Sequence, residues 1–373
     1  MKIRMARSEL LTALQRVQGV VEKRTTMPIL SNLLIEAQEG GIQVFATDLE
    51  IGLKGAYEGE ILEQGAVSLS ARKLYEIAKE LPEGPVSLSV QENNWVLIEA
   101  GQGQFKIMGL SKEEYPTVPT LEEATTISVK RDLLMELIKK TIFAVGDNDA
   151  RYILNGVLLH LDWAKEKKAL RCVGTDGHRL AVIQRELGPQ GSSNGENRDL
   201  IVPKKAVLEL RRLLEEDNED LTLGFGKNQL LIQKKKITLF TRLMEGTYPN
   251  YEQVVPKQND KKVSVARQDL EGALRRVAVL SREKTNAIKL SLEPGRLTLI
   301  SSSPDLGEAK ETMAVSYKGE GLQTGFNARY LLDVLGAFES DQAVLEFKDA
   351  LSPCLIREGK DPGYLCVVMP MRV

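Results

Sequence analysis

Histidine is nearly absent: His160 and His178 are the only two in 373 residues. That number excludes a metal centre built on imidazoles, and acid-base catalysis by histidine would need one of the two to stand beside a nucleophile. Cysteine is as sparse, and Cys172, Cys354 and Cys366 are odd in number and widely spaced. Reduced thiols at core positions fit that spacing better than a disulfide framework or a zinc site. Aromatic residues make up 5% of the chain, and no aromatic-rich RNA-binding signature occurs. No apolar run approaches the roughly 20 residues that span a bilayer. The N-terminal MKIRMARSELL carries a charge every few residues where a secretory signal would be apolar, so a cytoplasmic protein without a membrane partner is expected. A P-loop, a Gly-x-Ser-x-Gly elbow and a His-Glu-x-x-His pair are all missing. GQGQFK at 101–106 lacks the third glycine of a dinucleotide fingerprint and reads as a turn before a strand. SARK (70–73) and SREK (281–284) match Ser-x-x-Lys without the companion motifs of penicillin-recognising enzymes. No cofactor is expected.

What is present is a pattern written three times. IRMARSELLTALQRV from Ile3, ISVKRDLLMELIKKT from Ile127 and VSVARQDLEGALRRV from Val263 superpose without a gap. Each begins with a short alternating strand, continues with a basic residue (Arg7, Arg131, Arg267), and then repeats apolar residues at three- and four-residue spacing, the period of a helix. Each copy carries a second strand-helix unit in VSLSARKLYEIAKEL, LIVPKKAVLELRRLL and LQTGFNARYLLDVLGAF, opened by Ser70 as cap, Pro203 at the first turn and Asn327 as cap. Helices are therefore expected over 7–24, 71–81, 130–140, 203–214, 267–284 and 327–338. EEYPTVP (113–119) and GTYPNYEQVVP (246–256) read as stiff extended connectors. The expected domains are 1–120, 121–256 and 257–373, an α+β chain of three similar domains, each of two strand-rich halves with one helix apiece. A domain triplicated in this way bends into an arc that can close on dimerisation.

The net charge is −2, which alone argues against a nucleic-acid partner. Its distribution does not: the six expected helices hold 21 Lys and Arg against 11 Asp and Glu, while the rest of the chain is net acidic. Basic residues gather near helix C-termini for dipole reasons, and helices sharing one side would also offer phosphates a weakly positive face. Any such DNA contact would be with the backbone and indifferent to sequence.

The stretch TDGHRLAV at 175–182 places Asp176 two residues before His178. In the copy alignment it coincides with ATDLEIGL, so Asp176 matches Asp48, and Thr-Asp-Gly reads as a turn between strands. An enzyme using Asp176 and His178, or a monomeric three-domain scaffold, are rival readings. Together with PILSNLL (28–34), RYILNG (151–156), YPNYEQVVP (248–256), FNARYLLDVL (326–335) and VVMPMR (367–372), the stretch resembles the bacterial sliding clamps, the beta subunits of DNA polymerase III, over the whole length of the chain.

The resemblance implies a DNA clamp fold. It would be a head-to-tail homodimer closing into a ring, helices inside and sheets outside, around double-stranded DNA that it holds without reading. It implies a non-catalytic processivity factor that tethers the polymerase III alpha subunit, the clamp loader, other polymerases and repair proteins through a peptide-binding pocket between the second and third domains. Carried over by residue, the walls would be Leu154, Thr175, Gly177, His178, Arg179, Leu180, Pro249 and Val254. The last domain would add Asn327, Tyr330, Leu351, Val367, Val368, Met369, Pro370, Met371 and Arg372. Unbranched thioethers such as Met369 and Met371 re-pack around differing guests. Gln253 stands where well-known members have arginine, Val373 where they have leucine, and Leu351 and Pro353 replace smaller residues. For DNA the resemblance points to Arg24, Asn148, Tyr152, Lys204 and Lys205, with Ile153 in place of a second aromatic. For ring closure it points to Phe105 and Ile107 against Val279 and Leu280 of another subunit.

Overall fold

The computed structural model describes residues 1–21, 27–117, 125–163, 168–188, 197–281, 285–304, 307–359 and 361–372. Six α-helices occur among them: α1 Arg7–Val17, α2 Ala71–Glu80, α3 Arg131–Lys139, α4 Lys204–Glu216, α5 Arg267–Ala278 and α6 Ala328–Gly336. The threefold pattern is visible in how they are buried. α1 hides Leu10, Ala13, Leu14 and Val17; α5 hides Leu270, Ala273, Leu274 and Val277, the same four positions.

The repeated arginine has one job in all three copies. Arg7 Nε donates to the Ala78 carbonyl at 3.0 Å, Arg131 Nε to Leu214 at 2.8 Å and Arg267 Nε to Ser340 at 3.0 Å. Each guanidinium thus reaches a carbonyl at or just past the end of its copy's second helix, where main-chain acceptors have no partner of their own and the dipole favours a cation. Ser70 accepts from Lys73 N, and Asn327 from Arg329 N and Tyr330 N, so both act as the expected caps. Pro203 instead ends the strand before α4.

Two helices stop early. After Val17 and after Ala278 the chain tightens into i→i+3 bonds, as in Val20 N to Val17 O (3.1 Å) and Ser281 N to Ala278 O (3.0 Å); the expected helical residues 22–24 and 282–284 lie outside the described residues. The helices among the described residues carry 15 Lys and Arg against 11 Asp and Glu. Many of those cations are already paired, Arg16 with Glu216, Arg211 with Glu215 and Arg276 with Glu311 among them.

The described residues fall into two compact units, one built mainly from Met1–Asp132 and Lys205–Leu243, the other mainly from Leu133–Gly188 and Met244–Val373. All strand pairing is antiparallel. In the first unit a five-stranded sheet ends on Gly103–Met108, and an eight-stranded sheet runs from Thr125–Val129 to Gly65–Ser70. At the middle of that larger sheet Ile237–Arg242 pairs with Ile51–Tyr57, Leu239 opposite Leu53, so strands of the first and second copies share one sheet. The second unit repeats the device: Arg179–Glu186 pairs with Tyr364–Val368, Leu180 opposite Val367. Its four-stranded sheet is edged by Gly307–Ala314.

Candidate functional site

Where the Arg179–Glu186 strand begins, the chain makes a turn that occurs twice in the molecule. Thr175 Oγ1 donates to Arg179 O at 2.7 Å and accepts from Gly177 N at 3.1 Å, while Asp176 Oδ1 accepts from His178 N and Arg179 N at 2.9 and 3.0 Å. Thr47 and Asp48 make the same four bonds with Ile51 O, Leu49 N, Glu50 N and Ile51 N. The residue between is left-handed in both, Gly177 at φ +81° and Leu49 at φ +77°. Asp176 is therefore a turn former, its second oxygen held by Arg179 Nε at 3.0 Å.

Against this turn lies a hollow of about 330 Å³. Thr175, Gly177, Arg179 and Leu180 form one wall, Ile153 and Leu154 with Arg151 a second, and Val367 and Met369 a third. The segment Thr247, Pro249, Asn250, Tyr251 and Val254 closes it. Leu180 and Val367 belong to a core cluster with Val173, Tyr248 and Leu355, so the apolar floor is rigid. The rim is open to solvent: Val254 and Met369 are among the exposed large apolar side chains. Arg151 is oriented by a two-bond pair with Asp149 (2.9 and 2.8 Å) and by the Asp176 carbonyl (2.8 Å). Its guanidinium, through that hydrogen bond, holds the Asp149 carboxyl down to about 2.

Beside the hollow the His178 and Tyr330 rings stack at 6.3 Å, and the Arg179 guanidinium lies 4.5 Å from the Tyr330 ring centre while also pairing with Asp333. Burial, helped by the charge of Asp176, raises the Tyr330 phenol. Met369 N donates to His178 O and Met371 N to Gly325 O, which tie the C-terminal stretch to this wall. Asn327 caps α6, the helix that carries Tyr330.

The hollow takes in part of the expected lining. Val368 follows the lining Val367 along a strand, so its side chain faces the other side of the sheet, where it is fully buried. Pro370, Met371 and Arg372 lie beyond the hollow, and Leu351 stands exposed on a loop whose turn is made by Asp349. Gln253 is exposed and Val373 lies outside the described residues. Reading the sequence missed Arg151, Ile153, Thr247, Asn250 and Tyr251; the last three sit in a Tyr-Pro segment that looked like a mere connector.

Of the residues expected at DNA, Arg24 lies outside the described residues. Tyr152 is exposed, and Asn148 is exposed at φ +55°. The lysines have protein partners: Lys204 Nζ donates to Val145 O (3.1 Å) and faces Asp147 (3.3 Å), and Lys205 pairs with the Asp48 carboxylate and donates to Val20 O (3.2 Å). Of the closure residues, Phe105 and Val279 are exposed and Ile107 and Leu280 half-buried. His160 pairs with Asp199 across two strands, and no cluster of three or more metal-ligating side chains occurs among the described residues.

Comparison with known proteins decides the family. Three family models cover nearly the whole chain: the N-terminal domain of the DNA polymerase III beta subunit over residues 1–119, its central domain over 128–250 and its C-terminal domain over 252–372. The chain belongs to the DNA polymerase III beta subunit family. The beta sliding clamp of Caulobacter vibrioides is 37% identical over 375 residues, covering all of both chains. A crystal structure of the Pseudomonas aeruginosa beta subunit matches with a TM-score of 0.92 at 37% identity, covering both chains fully. One of a Bartonella birtlesii sliding clamp bound to griselimycin matches with a TM-score of 0.95 at 37% identity, also over both full chains. Beta subunits of this family are sliding clamps, non-catalytic processivity factors that bind DNA and polymerase partners. No helix among the described residues is long and apolar enough to cross a membrane.

Proposed function

We propose that the chain forms a head-to-tail homodimeric ring of three-domain subunits (1–120, 121–256, 257–373) around duplex DNA. In this reading the ring tethers the polymerase III alpha subunit, the clamp loader and repair proteins through the hollow at Leu180, Val367 and Met369. The observation that carries the peptide reading is the hollow itself: a fixed apolar floor under a rim of exposed Met369 and Val254, with Arg151 and Arg179 held by carboxylates at its edge. That arrangement suits short peptides that bury one or two apolar side chains and differ elsewhere.

The closure reading is supported by two open sheet edges, Gly103–Met108 with Phe105 and Met108 exposed, and Gly307–Ala314. Unpaired edges of this kind accept a strand from another chain. For DNA, Lys204 and Lys205 already have protein partners, and exposed Asn148 and Tyr152 carry no charge. Such weak, screened contacts permit sliding, and topology rather than affinity would do the holding.

Removal of Met369–Val373 tests the peptide site. Calorimetric titration should show binding of clamp-motif peptides lost, while sedimentation still gives a dimer. Retained peptide affinity would refute the reading.

A further inference from the structure

A second hollow, of about 560 Å³, opens on the same face of the same sheet. Its apolar surface is Val182, Val255 and Leu365, and Tyr251 is the wall that it shares with the first hollow. Side chains alternate along a strand, so Leu180 and Val182 share a face, as do Val367 and Leu365. The register pairs Leu180 with Val367 and Val182 with Leu365. One hollow therefore follows the other by a single two-residue repeat, about 7 Å along both strands.

The shared wall is fixed from below. Arg171 Nη1 donates to the Tyr251 hydroxyl at 2.9 Å and Arg171 Nε to Gln184 at 3.0 Å. At the outer end stands Lys257, exposed and without an ion pair among the described residues; Glu186 and Glu252 also line the hollow, and the nearby Lys261, Lys262 and Arg357 are paired with Asp260 and Glu346.

We propose that this second hollow receives the flank of the same peptide that fills the first: one apolar side chain over Val182 and Leu365, followed by a carboxylate facing Lys257. The inference rests on the reading of the first hollow as a peptide site. Continuity selects the occupant, because an extended chain advancing about 3.3 Å per residue passes from one hollow to the next in two or three residues. Charge bears on its end through Lys257 alone, because an unpaired ammonium favours an acidic residue.

The test is a calorimetric titration of the full dimeric chain with two synthetic peptides from the clamp-binding region of the polymerase III alpha subunit. One has six residues, and the other has twelve and includes the natural flanks. The longer peptide should bind about tenfold more tightly, a difference of about 1.4 kcal/mol. Val182→Thr and Lys257→Glu should each reduce that advantage and leave the six-residue affinity unchanged, which also shows that the variants are folded. No advantage of the longer peptide, or an advantage intact in both variants, overturns the second hollow's role. Failure of the six-residue peptide to bind the native chain overturns the peptide-site reading itself, and this inference with it.

Discussion

Gly177 and Leu49 hold the same place in the same turn, so a positive φ alone does not demand glycine there. What is particular to Gly177 is Arg151, whose guanidinium would collide with any Cβ. Gly177→Ala is thus expected to displace Arg151 from the hollow's edge. Its thermal stability should fall by about 1 kcal/mol, and titration should give a peptide affinity weakened about tenfold; unchanged affinity would show that Arg151 takes no part. Lys205 makes a second case. Because its ammonium closes the pair with Asp48, whose carboxylate is almost fully buried, Lys205→Ala should lower the melting temperature, with only a small loss of DNA retention. Motifs showed the turn and its neighbours, since Thr-Asp-Gly and Met-Pro-Met have recognisable chemistry. They did not show Ile153 or Tyr251, which enter the hollow through long-range packing, nor that Lys204 and Lys205 would spend their charge on nearby carbonyls and carboxylates.

Among elements, the arginine that opens α1, α3 and α5 ties the two helices of each copy together. Arg267→Met keeps most of the aliphatic stem but leaves the Ser340 carbonyl without its donor. A cost of about 1 kcal/mol is expected by thermal unfolding. A buried ion network does similar work in the second unit: Lys140 Nζ is 2.5 Å from Glu358 Oε2 and lies 4.8 Å from the Tyr364 ring centre, while Arg185 joins Glu136 to Asp361. Burial alone would raise the Glu358 carboxyl, but the Lys140 hydrogen bond and the Ser340 and Glu339 N–H groups outweigh it and hold the group below its ordinary 4.5. A depressed native pKa gives stability that is complete above the unfolded value and lost as pH falls through the native one. Stability should therefore drop below about pH 4.5. Glu358→Gln should cost about 3 kcal/mol at pH 7 and flatten that acid dependence in melts from pH 7 to 3. Periodicity located all six helices, yet it overran α1 and α5, because over four residues a tightened i→i+3 turn and a continuing α-helix place apolar side chains almost alike.

At the scale of the whole molecule, the triplication was legible but the sharing of sheets was not. Alternation tells a strand which faces it has, not which strand lies beside it. Only the structure shows Leu239 opposite Leu53 and Leu180 opposite Val367, with strands of different copies completing one sheet. That sharing also explains why the candidate hollow forms in the second unit, where the middle copy's turn meets the last strand of the third. The proposed ring would hold DNA by enclosure and not by affinity. The most direct measurement loads the protein onto a nicked circular duplex and onto the same duplex linearised, and follows retention by gel filtration at moderate salt. The protein should stay on the circle and slip off the linear form; equal loss from both would contradict the account.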